Sequence, residues 1–135
     1  MVYHFLPHTA DVKILVHSTN LTGCFKEAAN ALKESICGDL EAAKKEKKKI
    51  VVEGKDNEAL LYNFLEEFLF LLDAEDFLLS EVEDIRISDN KLEAVAIGDK
   101  ASNYDFNNKV KAITYNEMFI KNERNKYICQ FVLDV

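Results

Sequence analysis

Asp11-Val12-Lys13-Ile14-Leu15-Val16-His17, entered through Pro7-His8-Thr9-Ala10, is the stretch on which the reading of this chain turns. Val12, Ile14 and Val16 alternate with Lys13 and His17, the period-two pattern of a half-buried strand. Asp11 therefore stands at the mouth of the strand, where a functional side chain can be presented without disturbing its packing. The far end of the chain is a second strand-like run, Tyr127-Ile128-Cys129-Gln130-Phe131-Val132-Leu133-Asp134-Val135. Tyr127, Cys129, Phe131 and Leu133 share one parity and are expected to face the core, which leaves Gln130 and an exposed Asp134 on the other side. If the two strands lie side by side, Asp11, Asp134 and the terminal carboxylate form an oxygen-rich cage suited to a hard cation. Two acids held together repel unless a cation or a lysine neutralises them. The plainer reading of the same residues, polar groups at strand ends, stays open at this level.

The 135 residues fit one domain, 1–135, large enough for a single core without disulfides or metals as staples. Hydrophobic residues at 48% and charged residues at 30% are ordinary for a globular protein, and no run approaches the roughly 18 apolar residues of a spanning helix. Met1-Val2-Tyr3-His4-Phe5 lacks the features of a secretory signal, so a cytoplasmic protein with no membrane partner is expected. Cys24, Cys37 and Cys129 are odd in number and set among apolar neighbours, which suits reduced core thiols. A formal charge of −7 argues against a surface that grips nucleic acid, so any RNA connection is indirect. The basic run Lys44-Lys45-Glu46-Lys47-Lys48-Lys49 has no aromatic to stack a base and reads as a solvated connection.

Outward from the opening strand, Leu21, Phe25, Ala28, Ala29, Leu32 and Ile36 lay an apolar stripe along a helix that Asn20 or Thr22 can cap and Gly38 stops. Ile50-Val51-Val52 reads as a short strand ending at Gly54. Asp56 caps a second helix carrying Leu60, Leu61, Phe64, Leu65, Phe68, Leu71 and Leu72, with Leu69 and Phe70 widening its apolar face. Asp89-Asn90 turns a hairpin between the strands around Ile85 to Ile87 and Leu92 to Ile97. Further strands are expected at residues 110–115, 118–120 and 127–133, with a turn at 122–125. The sum is an α+β domain with two helices packed on one face of a mixed, largely antiparallel sheet.

Lys111 sits in an otherwise apolar run and shares its face with Ile113 and Tyr115, so it either snorkels to solvent or serves an acidic site or a phosphate. His8 can move a proton or ligate a metal, but one histidine beside one aspartate is far from a catalytic set.

Taken together, Pro7-His8-Thr9-Ala10-Asp11-Val12, Asp56-Asn57-Glu58-Ala59-Leu60-Leu61, Val110-Lys111-Ala112-Ile113-Thr114-Tyr115 and the closing Phe131-Val132-Leu133-Asp134-Val135 resemble the archease family in order and spacing across nearly the whole chain. The resemblance implies a small α+β accessory protein, not itself an enzyme, that activates the RtcB-type RNA ligase of tRNA splicing by promoting its guanylylation and multiple turnover. It implies a divalent metal ion on Asp11, Asp134 and a Val135 main-chain or terminal oxygen, with Lys111 functionally required. Calcium is the first choice of ion, with magnesium and manganese as alternatives, because all take oxygen ligands. Two positions depart from the usual pattern: Asn116 stands where the family often has histidine, and Lys13 stands where glycine commonly follows the Asp-Val pair. Two other readings compete, an autonomous metal-dependent phosphoester hydrolase and a chaperone-like modulator of RNA-modifying enzymes. The first lacks a recognisable general base. The second rests on the wide apolar face of the second helix. No residue pattern fixes an oligomeric state.

Overall fold

The structure, a computed structural model, describes residues 2–6 and 11–135. Among the described residues the order is β1 (Val2–Leu6), β2 (Asp11–Ser18), α1 (Leu21–Cys37), β3 (Glu46–Glu53), α2 (Asn57–Glu75), β4 (Phe77–Ser88), β5 (Lys91–Lys100), a single 3-10 turn (Ala101–Asn103), β6 (Ala112–Glu123) and β7 (Lys126–Asp134).

Both helices begin where short polar side chains can satisfy orphan backbone donors. Asn20 Oδ1 accepts from the Gly23 N–H at 2.7 Å, and Asp56 Oδ1 accepts from the Ala59 N–H at 2.8 Å. α1 ends at Gly38, whose φ of 65° lets its N–H turn back to the Glu34 carbonyl at 2.7 Å. The buried face of α1 is Cys24, Phe25, Ala28, Ala29, Leu32 and Ile36; that of α2 includes Leu60, Leu61, Phe64, Leu65 and Phe68. The Phe64 ring lies 5.6 Å from Phe25 and 4.9 Å from Phe68. Fully burying a side chain of that size contributes roughly 2–3 kcal/mol. The widened face of α2 is therefore mostly core: Leu69 is buried and only Phe70 is left exposed.

The α+β class is as the sequence implies, but the sheet is divided. Strands run β1-β2-β7-β6 in one sheet and β3-β5-β4 in the other, and every pairing is antiparallel where a mixed sheet was expected. Hairpins explain much of this, because neighbours joined by tight turns must run in opposite directions. Asp89-Asn90 and Arg124-Asn125 each supply two consecutive residues of positive φ, the backbone of a type I′ turn. α1 packs on β2 of the four-stranded sheet and β4 of the three-stranded one, while α2 packs on β6 and on β3 and β4, so the helices tie the two sheets into one core. The cysteines are free thiols, with Cys24 and Cys129 buried in that core.

Three local expectations are revised. The lysine run is not all connection, because β3 already begins at Glu46 and includes Lys47, Lys48 and Lys49. The opening strand of the sequence reading is the second strand, preceded by β1, whose Tyr3 and Phe5 pair with Val16 and Ile14. The strands expected at 110–115 and 118–120 are one, β6, interrupted by a bulge in which residues 115–118 face the single residue Phe131.

Candidate functional site

β2 and β7 are neighbours, and their register sets Asp11 directly opposite Asp134. The alternation of packing enforces this. Ile14 lies across from Phe131 and Val16 across from Cys129, all four fully buried on the helix side. Parity then sends Asp11, Lys13, Leu15 and His17 of β2, with Asp134, Val132, Gln130 and Ile128 of β7, to the opposite face. Slipping the register by one residue would turn one of the two strands over and carry its acid into the core, so the buried pairs hold the acids opposite each other. Cross-strand partners have Cβ atoms about 5 Å apart, which starts both side chains from adjacent positions on one face. Each is half-buried; Asp134 is more covered than the exposed position expected of it.

Lys111 meets the same end of the sheet by a different route from the one expected. It is not inside a strand: β6 starts at Ala112, which pairs with Asp134, and Lys111 lies one residue earlier with its side chain exposed. Its N–H donates to the Asp134 carbonyl at 2.7 Å. Tyr115, expected on the same strand face, instead sits in the bulge and stacks on Tyr62 of α2, ring centroids 4.2 Å apart and 5° from parallel. Asn116 is exposed in the same bulge, its N–H donating to Thr114 Oγ1 at 3.2 Å. Val135 is exposed beside Asp134. His8 lies outside the described residues.

Two further residues belong to this end of the sheet. Lys13 Nζ reaches Glu117 Oε1 at 2.9 Å, and Gln130 Nε2 donates to the Glu117 carbonyl at 2.9 Å. Glu117 has a φ of 58°, a left-handed conformation that turns the bulge over the outer face. The Ile120 N–H, just past the bulge, is taken by Glu58 Oε1 of α2 at 3.2 Å. Lys13 was legible as an outward residue of an alternating strand and as a lysine where the family commonly has glycine, while Glu117 carried no signal. Their meeting depends on the bulge.

The donors at this tip are oxygens: two carboxylates, the Asp134 main-chain carbonyl and the Val135 oxygens. That set suits a hard divalent cation such as calcium or magnesium better than a softer metal. Among the described residues no three His, Cys, Asp or Glu side chains gather at one point, so any ion held by this pair would need further oxygens from the main chain or water to complete its shell. The opposite end of the face differs. There His4 and His17, rings 5.6 Å apart, join Val2, Ser18, Thr19 and Lys126 around an open cleft of about 400 Å³, whose lining among the described residues includes no carboxylate side chain.

Fold and site together define a class: a small antiparallel α+β protein, helices gathered on one side, whose longer sheet ends in a cross-strand pair of acids. The sequence model of the archease protein family matches residues 3–135. The chain belongs to that family. It is 35% identical over 136 residues to Protein archease of Sulfurisphaera tokodaii, covering 98% of both chains. It is 37% identical over 135 residues to Protein archease of Pyrococcus abyssi, covering 95% of this chain and 94% of that one. The solution structure of Methanobacterium thermoautotrophicum protein 1598 superposes with a TM-score of 0.82 at 27% identity over 98% of both chains. A Thermotoga maritima crystal structure, described as an archease and possible chaperone, superposes with a TM-score of 0.71 at 16% identity, covering 96% of this chain and 94% of that one; it speaks for the shared fold alone. No helix among the described residues is long and apolar enough to cross a membrane.

Proposed function

We propose that this protein is a non-enzymatic activator of an RtcB-type RNA ligase, acting through the acid-bearing end of its four-stranded sheet and touching tRNA only through that ligase. The observation that carries the reading is the register of Asp11 against Asp134, with Lys111 bound through its backbone to the same aspartate. Like charges directly opposite on neighbouring strands are destabilising. A divalent cation shared by the two carboxylates relieves that repulsion. Asp11 and Asp134 would hold a divalent ion, calcium first, with an oxygen of Val135; the bound ion supplies positive charge that cancels the acids and can meet an anionic group of the ligase. Lys111, exposed at the same end of the sheet, would supply an ammonium to the docking partner or its nucleotide phosphate.

The test is ligase guanylylation under multiple turnover with the protein present or absent. Asp11→Ala, Asp134→Ala and Lys111→Ala are each expected to abolish the stimulation while melting within a few degrees of the parent. Lys111→Arg keeps the charge but exchanges a compact ammonium for a planar fork, and is expected to lose most of the stimulation if the site is confined. Full stimulation by folded Asp134→Ala protein removes the acid tip from the mechanism.

A further inference from the structure

We infer that Lys13, held by Glu117, is a built-in counter-charge that sets how strongly the Asp11–Asp134 pair takes a divalent cation. The inference rests on the metal reading above and adds two residues to it.

The geometry is that of one corner of the outer face. Lys13 is the next residue after Asp11 on that face of β2, and it pairs with Val132, the residue before Asp134 on the same face of β7. Same-face neighbours along a strand are about 7 Å apart, so Lys13 and Val132 form the row directly behind the two acids. A surface lysine normally swings free and its charge is averaged over solvent. This one does not: its side chain is only 17% exposed, and its ammonium is fixed at 2.9 Å from Glu117. To reach β6 from β2 the stem must cross β7, and the residue it crosses, Val132, is fully buried.

Glu117 is fixed in turn. Its carbonyl is held by Gln130 at 2.9 Å, and the bulge that carries it is flanked by the Tyr62–Tyr115 stack and the Glu58–Ile120 hydrogen bond. The positive charge of Lys13 is therefore held on the same outer face as the acid pair, in the row behind it. In the ion-free protein it moderates the repulsion between Asp11 and Asp134. Toward an incoming divalent cation it acts with the opposite sign, opposing binding, and the negative charge of Glu117 offsets part of that opposition.

The two residues should consequently have opposite effects when neutralised. Lys13→Met keeps an aliphatic cover over Val132 and removes the positive charge; it is expected to tighten calcium binding by roughly five- to tenfold at low ionic strength. Glu117→Gln keeps the side-chain shape and leaves the ammonium uncancelled; it is expected to weaken binding by a similar factor. Both effects should shrink as salt is raised toward ~0.15 M. A merely structural role, in which either change loosens the bulge, moves both variants in the same direction.

The experiment is calorimetric titration of CaCl₂ into chelator-stripped full-length protein, with Asp134→Ala as the site control and a thermal melt on each preparation. Tighter binding by Lys13→Met with weaker binding by Glu117→Gln supports the inference, as does calcium binding that appears only in Lys13→Met. Calcium bound by the parent and lost in Asp134→Ala, but with both charge variants unchanged or both weakened, overturns the role of Lys13 and leaves the metal reading standing. No binding by the parent, by Lys13→Met or by Asp134→Ala overturns the metal reading and the inference with it.

Discussion

Asp99 and Asp134 occupy comparable places, each near the last row of its sheet, and are treated in opposite ways. Asp99 is buried within a set of donors: the Tyr104 hydroxyl at 2.9 Å, Asn103 Nδ2 at 3.4 Å and the backbone N–H of Lys100. The Lys100 N–H, then the Tyr104 hydroxyl, hold its carboxyl below the usual carboxylate range against the opposing effect of burial. Tyr104 also accepts the Ala43 N–H at 2.7 Å, so this acid is part of the joint that fastens the connection before β3 to the end of β5. Asp134 instead meets another acid across the ladder. At one sheet end an acid is surrounded by hydrogen-bond donors of its own chain; at the other an acid is set across the ladder from a second acid. The first arrangement is what stability selects, and the second is what a binding site requires.

The comparison is most easily broken at Gly98, beside Asp99. A Cβ added there would run into the Leu78 carbonyl and the Phe77 ring, and the backbone of a paired strand cannot step aside as a flexible side chain can. Gly98→Ala is expected to cost about 3 kcal/mol or more in denaturant unfolding. A variant of near-parental stability would show that this end of the three-stranded sheet is not the rigid one.

Asp99 itself sharpens the contrast through pH. Its folded pKa is depressed, so its contribution is fully present above the unfolded value of ~3.9 and is lost as pH falls through the lower folded value. Parental protein should therefore lose stability below about pH 4 more steeply than Asp99→Asn. Matching acid limbs in the two proteins would mean that Asp99 is not answered as its hydrogen bonds imply.

The smallest effect is expected at the other acid pair. In chelator, Asp134→Ala should change unfolding free energy by no more than about 0.5 kcal/mol, since it removes one of two repelling charges and empties no core volume. A loss of several kcal/mol would assign the pair to the architecture and end the contrast with Asp99.

Much of this could be read before any coordinates because it is local. Asn20, Asp56 and Gly38 cap or stop helices through groups one to four residues away, Asp89-Asn90 turns its own hairpin, and the alternation in β2 and β7 follows from which face is buried. The acid pair was legible for the same reason, as residues at the mouths of two alternating strands. What escaped depends on distant partners. Nothing in the periodicity of β3 or β4 says that they form a sheet apart from β2 and β7, because strand period reports a buried face and not the neighbour beside it. The bulge at 115–118 read as a gap between two strands, since Asn116 and Glu117 interrupt the apolar pattern while the ladder continues beyond them. Lys111 read as a strand residue because its neighbours are apolar, though the pairing begins one residue later.

β3 is the outer strand of its sheet, with β5 on one side only, and its exposed positions begin with Lys47 and Lys49. An outer strand carries unpaired backbone groups that can recruit a strand from another molecule, and long charged side chains along it are a means of preventing that. Lys48, turned toward the body of the protein, is secured to Glu75 at 3.1 Å, which leaves the outward lysines free to crowd any second copy that approaches strand to strand. Two such edges brought together would set lysine against lysine. The run that reads as a solvated connection thus also guards the molecule against association with itself, a protection that weakens as salt screens the charges.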